Sequence, residues 1–257
     1  MAGRLRGDDL IWKWATASVI GTSHLRSGDR LQDAYSVSLI GDDHIFAVVS
    51  DGAGSAQFGA YGAWLICRFL TTRFRERLRG QSELPSDDEL ADWVDELRDQ
   101  IADIANRRGS TRRQFAATLA AILVSPVEVL TLHVGDSAIV GRRDAEWDVL
   151  CWPENGEYAS STYFVTDDPA PRLNLARQHR KHDAFAIFSD GVGDLALSHL
   201  EQVAHPRFFE PMMRPVDAAI DEGRLIELSA KLANYLAGPS VCERTDDDKT
   251  LILISGD

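Results

Sequence analysis

An apolar run that stops at Asp-Gly occurs twice in this chain, and that repetition constrains the fold more than any other feature. Ile45 to Val49 reads as a buried strand that ends at Ser50-Asp51-Gly52, with Gly54 close behind. Ala184 to Phe188 repeats the arrangement and ends at Ser189-Asp190-Gly191. Each strand carries a carboxylate to its end, and the glycines let backbone or ligand approach closely. Either instance alone also looks like an ordinary turn. A third strand, Leu130 to Val134, runs into Gly135-Asp136-Ser137. Carboxylates at Asp246, Asp247 and Asp248 lead into an apolar strand at Thr250 to Ile254, and Gln32-Asp33 precedes another at Tyr35 to Ile40. Aspartates brought to strand ends from distant parts of a chain point to an oxygen-ligand metal site of the kind that suits magnesium or manganese.

Between these strands the pattern alternates in blocks. Trp12 to Ile20 is a first strand candidate, Gly21 to Gly28 reads as a loop, and Gly41 to His44 as a hairpin turn. Gln57 to Leu78 and Asp87 to about Asn106 read as long helices. In the first, Tyr61, Trp64, Leu65, Arg68, Phe69 and Leu78 form an interrupted helical stripe whose large apolar members are expected in the core; in the second, Ser86 is the expected cap. Phe115 to Val124, Val129 to Val134, Ala138 to Arg142 and Asp144 to Trp152 suggest a meander of strands. Pro153 to Asp183 reads as irregular, and Pro206, Pro211 and Pro215 are expected to break a helix begun near Asp194. Arg224 to Leu236 returns to helical spacing. Strands in runs and helices in blocks are the α+β signature, and two antiparallel sheets packed face to face with helices outside accommodate them. With no repeat and no linker, residues 1–257 are expected to form one domain.

Composition narrows the partners. At 257 residues and 44% hydrophobic content the chain can bury a core without staples. Cys67, Cys151 and Cys242 are odd in number and widely spaced, which indicates neither a disulfide framework nor a zinc site. A net charge of -13 argues against nucleic-acid binding and is compatible with a site that collects divalent cations. No apolar run reaches the roughly 20 residues a membrane helix requires, and no signal peptide is visible, so a cytoplasmic location without membrane attachment is expected. A monomer is expected.

Six motifs in order resemble those of type 2C protein phosphatases, the metal-dependent PPM class. They are Gly21-x-x-His24 with Gln32-Asp33, Ser50-Asp51-Gly52-x-Gly54, Phe115-Ala-Ala-Thr118, Val134-Gly-Asp-Ser137, Ser189-Asp-Gly191 and Asp247-Asp-Lys-Thr250. The resemblance runs from about Gly21 to Ile254 and is strongest to a bacterial branch. It implies a four-layer α-β-β-α sandwich with two antiparallel sheets and a metal site at one end. The activity implied is hydrolysis of phosphoserine and phosphothreonine in proteins by a water activated between two Mn2+ or Mg2+ ions, in signalling opposite a cognate kinase. Asp51 matches the carboxylate that bridges both metals, and the Gly52 carbonyl matches a ligand of the second. Asp190 and Asp247 match ligands of the first, with the register at Asp246, Asp247 and Asp248 open by one residue. Asp33 matches the N-terminal acidic position, bound directly or through water, and Asp136 matches a residue that helps hold a third ion. Asp51, Asp190 and Asp33 are thereby the implied catalytic set.

Three departures stand against that pattern. Gln32 replaces an acid, which puts the second metal in doubt. Gly28 stands where many relatives have a phosphate-binding arginine, with Arg30, Arg26 or His24 as substitutes and Arg30 the nearest. Ala53 stands where eukaryotic members place a histidine. Two alternatives follow: a phosphatase-like regulatory or binding module with weak or no catalysis, or the same fold acting on a small phosphorylated metabolite. The basic cluster from Arg172 to His182 is either plain surface or a dock for phosphoprotein, and His133 and Thr118 are expected to satisfy local hydrogen bonds.

Overall fold

The computed structural model describes residues 11–81, 83–156 and 162–256. In chain order it begins with β1 (Trp12–Val19), α1 (Thr22–Ser27), β2 (Ala34–Ile40), β3 (His44–Ser50), α2 (Gly59–Arg77) and α3 (Asp87–Arg107). Five strands follow: β4 (Leu119–Val124), β5 (Glu128–Val134), β6 (Ala138–Arg143), β7 (Glu146–Cys151) and β8 (Asn174–His179), which do not form the expected single meander, because β4, β5 and β8 pair in one sheet and β6 and β7 in the other. Then come β9 (Ala184–Phe188), α4 (Asp190–Ala196), β10 (Leu197–Ser198), β11 (Val203–Ala204) and α5 (Pro206–Asp217). The chain closes with β12 (Gly223–Arg224), α6 (Ile226–Leu236), α7 (Pro239–Cys242) and β13 (Lys249–Gly256).

Two sheets result. One runs β12-β1-β13-β9-β6-β7 and the other β2-β3-β4-β5-β8, antiparallel throughout except where β12 joins β1. The period of two along each strand sorts residues between layers. On β3, Ile45, Ala47 and Val49 face Ile139, Ile187 and Ile252 of the opposite sheet, while Phe46 and Val48 pack against α2 and α3. On β13, Ile252 and Ile254 point between the sheets, and Leu251 and Leu253 point at α5 and α6. Both faces of the central strands are therefore apolar, which is why they read as unbroken runs, and the expected α-β-β-α sandwich is the observed one.

Several local expectations are corrected. Residues Gly21 to Gly28 include the helical turn α1, and the irregular stretch after Pro153 contains β8, an edge strand whose exposed face is polar. Helix α2 buries Ala63, Ile66, Cys67, Leu70 and Phe74; of the expected stripe, Leu78 is buried, Tyr61, Leu65 and Phe69 pack half-buried against the same core, and Trp64 stays on the surface against Arg68. Phe115 lies in a 3₁₀ turn, Arg112–Phe115, ahead of β4. Pro206 opens α5, where the missing N–H costs nothing, and Pro211 and Pro215 sit inside it. That helix persists because Phe209, Met213 and Val216, at helical spacing, are buried against the sheet. On α3 the Ser86 hydroxyl accepts from the Glu89 N–H, as the cap reading expects. All three cysteines are free thiols. Among the described residues no helix is long and apolar enough to cross a membrane.

Candidate metal centre

The carboxylates meet at one end of the sandwich, in a cleft of about 820 Å³ lined by Asp51, Asp136, Asp190 and Asp247. Asp51 stands just past the end of β3. Its N–H donates to Thr118 Oγ1 at 3.0 Å, the Thr118 N–H donates back to the Asp51 carbonyl at 2.8 Å, and the Ser50 hydroxyl donates to the Thr118 carbonyl at 2.6 Å. Thr118 thus fixes the Asp51 main chain, as expected of a locally bonded threonine. Asp190 opens α4 directly after β9. Asp136 lies in the turn between β5 and β6, where His133 Nε2 donates to the Ser137 carbonyl at 2.7 Å.

The glycines of the two Asp-Gly motifs are required by crowding. Neither has a positive φ. A Cβ on Gly52 would lie 2.4 Å from the Gly59 backbone, and one on Gly191 would lie 2.0 Å from the Asp248 carbonyl oxygen. The backbone behind each aspartate is therefore pressed against a neighbouring segment, which holds the carboxylates toward one another.

One oxygen each of Asp51, Asp136 and Asp190 falls within a 4.8 Å group. Buried oxygens of Asp33, Asp136 and Asp190 lack any hydrogen-bond partner. Burial, then the neighbouring carboxylates, pushes Asp190 up to about 8 and Asp51 well above the usual carboxylate range. Burial also raises Asp136, and it lifts Asp33 to about 6 although hydroxyls of Thr250 and Ser189, each donating at 2.7 Å, favour its ionised form. Like charges this close cannot all ionise unaided, and orphaned buried oxygens demand a partner. A divalent cation satisfies both demands with the oxygen donors that magnesium and manganese prefer, so the residues fit the implied ions.

The run Asp246-Asp247-Asp248 divides three ways. Asp246 is exposed and pairs with Arg26 at 2.7 Å. Asp248 is buried, and its carboxylate accepts the Gly21 N–H (2.6 Å), the Gln32 N–H (2.6 Å) and His24 Nδ1–H (2.9 Å). Asp247 alone of the three lines the cleft. Burial lowers the His24 pKa, but the Asp248 carboxylate outweighs it and the net shift is upward.

His24 and Gln32 both reach the cleft wall; Arg30 is exposed and is not part of that wall. Asp33 is buried behind the carboxylate group, held by Ser189 and Thr250. The basic cluster is dispersed: Arg177 pairs with Asp87 and Glu128, Arg172 with Glu154, and buried His182 with Asp148. The Pro206 to Pro215 stretch packs under the sheet as α5 and does not cover the cleft. Asp248 as a strap was hidden by the three-aspartate run, and Arg113, Asp167, Asp194 and His199 on the cleft wall carried no motif that singled them out.

Residues 20–237 match the family profile for protein phosphatase 2C. Serine/threonine-protein phosphatase 3 of Escherichia coli (strain K12) is 34% identical over 248 residues, spanning 94% of this chain and 97% of that protein. The solved structure of serine/threonine phosphatase Stp1 from Staphylococcus aureus superposes with a TM-score of 0.65 at 15% identity, covering 99% of each chain. The catalytic domain of the serine/threonine protein phosphatase PstP, in complex with two manganese ions, gives 0.63 at 19% identity over 96% of this chain and 99% of that one. Fold and relatives together define the class, a serine/threonine-protein phosphatase. Within that class, the chain belongs to the protein phosphatase 2C family.

Proposed function

We propose that this chain hydrolyses phosphoserine and phosphothreonine in protein substrates at the carboxylate cleft, with two manganese or magnesium ions as cofactors. The observation that carries the reading is the grouping of Asp51, Asp136 and Asp190 ligand atoms within 4.8 Å, with buried oxygens left unpaired. Asp51, Asp190, Asp247 and the Gly52 carbonyl would hold the two ions, Asp33 would contribute directly or through water, and Asp136 would help to hold a third. Such ions, when bound, neutralise phosphoryl charge and make a water acidic enough to attack phosphorus near neutral pH.

The chain's own residues supply rigidity. Thr118 locks the Asp51 backbone, Ser189 and Thr250 hold Asp33, and Asp248 ties Gly21, His24 and Gln32 into one wall. His24 Nδ1 is engaged with Asp248, so only Nε2 is left to face the cleft. Ala53 offers no proton at the position after Asp-Gly. A cleft of about 820 Å³ accepts a phosphorylated side chain with its flanking backbone. Cytoplasmic signalling opposite a cognate kinase, as a monomer of one domain, is part of the same reading.

The test is turnover of a phosphothreonine peptide, compared with phosphorylated metabolites, in manganese. Hydrolysis of the peptide that is abolished by chelator and by Asp51→Asn supports the reading. Hydrolysis that survives either treatment refutes it, as does metal binding without turnover, which is the behaviour of a binding module.

A further inference from the structure

We propose that Arg113 is the cation that receives the substrate's phosphate in this chain, and that the inorganic phosphate product binds there too; this rests on the phosphatase reading of the cleft. The charge of the wall motivates it. Among the described residues, six aspartates line the cleft and Arg113 is the only lysine or arginine that does. A phosphate monoester dianion approaching so acidic a wall needs a fixed cation as well as metal charge.

The other basic groups near the N-terminal loop are otherwise engaged. Position 28 is a glycine with φ +81° and exposed, and Arg30 lies outside the cleft wall. Arg26 is paired with Asp246, and His24 with Asp248. Arg112, the neighbour of Arg113, is paired with Asp168. Arg113 itself makes no side-chain hydrogen bond or ion pair with the described residues, although six carboxylates share its cleft. Its five N–H donors are therefore free, in the planar fork that matches two phosphate oxygens.

The backbone beneath it is held rigidly to the segment that carries Asp51. Arg113 lies in the 3₁₀ turn Arg112–Phe115. The Ala53 N–H donates to the Ala116 carbonyl at 2.9 Å, the Phe58 N–H to the Gln114 carbonyl at 2.8 Å, and the Gln57 N–H to Gln114 Oε1 at 3.0 Å. Gly52 bridges Ala117, and Phe115 is fully buried with its ring stacked 4.9 Å from Phe58. The turn and the Asp51-Gly52 motif thus move as one body. The main chain from which the Arg113 side chain extends therefore keeps a fixed relation to the Asp51-Gly52 segment.

Three readouts test the assignment, on wild type, Arg113→Ala, Arg113→Lys and the charge control Arg207→Ala, which lies on α5 away from the cleft. They are KM and kcat for a phosphothreonine peptide, inhibition by inorganic phosphate, and calorimetric binding of manganese and of inorganic phosphate. Arg113→Ala should raise KM and the phosphate Kd together by about tenfold to a hundredfold, the range for a lost charge-assisted contact. Its kcat and manganese affinity should stay within about threefold, Arg113→Lys should recover part of the loss, and Arg207→Ala should match wild type. Unchanged KM and phosphate Kd in Arg113→Ala overturn the assignment, as does a loss of manganese affinity that tracks the rise in KM. A wild type that binds phosphate through Arg113 but turns over no peptide overturns the phosphatase reading and leaves the phosphate site standing.

Discussion

Removing the metals should make this protein less stable as pH rises, and one substitution isolates the cause. Asp190 is held at about 8 against an ordinary value of 3.8 by burial and by its carboxylate neighbours. Between those values the folded state keeps a proton that the unfolded state has released, so the contribution of Asp190 to stability is fully present below about pH 4 and is lost as pH climbs from there to about 8. At about 1.4 kcal/mol per unit the full effect is roughly 6 kcal/mol. The cleft is open to water and salt, and the cluster shares its protons, so about half of this, roughly 3 kcal/mol, is expected. For a chain of this size that is about 6–12 °C in Tm. The assay is thermal unfolding of chelator-treated protein from pH 5.5 to 8.5, repeated with Asp190→Asn and with added manganese. The net charge of -13 also disfavours high pH, and Asp190→Asn separates the two effects. Without metal at pH 8.5 the variant should unfold several degrees above wild type, and manganese should stabilise wild type far more than the variant. A metal-free Asp190→Asn protein that unfolds below wild type at pH 8.5 would refute the reasoning.

Other expectations follow from single contacts. Gly191→Ala places a Cβ 2.0 Å from the Asp248 carbonyl oxygen, so α4 must shift; a loss of about 2–3 kcal/mol and at least tenfold weaker manganese binding should appear in unfolding and calorimetry. Asp248→Asn leaves the Gly21 and Gln32 N–H groups and His24 with one acceptor oxygen in place of two. Stability should fall by about 1.5–3 kcal/mol, and the His24 pKa measured by NMR should drop. Ser86→Ala removes only the α3 cap; unfolding should show a loss of about 1 kcal/mol with turnover unchanged.

The central strands were legible because both of their faces are buried: β3, β9 and β13 are apolar runs with a carboxylate at one end. Helix α3 was legible from its Ser86 cap and its Leu90, Trp93, Val94, Leu97 stripe. The elements misread are those in which tertiary contacts override local signals. β8 is an edge strand whose sequence, Asn174 to His179, is largely polar because only Leu175 and Arg177 turn partly inward. α5 tolerates Pro211 and Pro215 because its buried face outweighs the lost hydrogen bonds. In α2 the small residues Gly59, Gly62 and Ala63 pack closely, so the large aromatic Trp64 lies outside the core. At the site, Asp51, Asp136, Asp190 and Asp247 were marked by position at strand ends, and the structure brings all four to one cleft. Arg113 was not marked, because a side chain that acts from a neighbouring turn leaves no periodic or spacing signal. Asp248 was ambiguous for a different reason: adjacent aspartates are chemically identical until the fold points one at Gly21 and Gln32 and the next into the cleft.

The most direct measurement is anomalous diffraction from a crystal of the protein soaked in manganese, recorded above and below the manganese edge. The account predicts two strong peaks in the cleft, with Asp51 touching both and Asp190 and Asp247 on one of them. Manganese found only at other carboxylates, or a cleft in which Asp51, Asp190 and Asp247 ligate nothing at saturating metal, would contradict it.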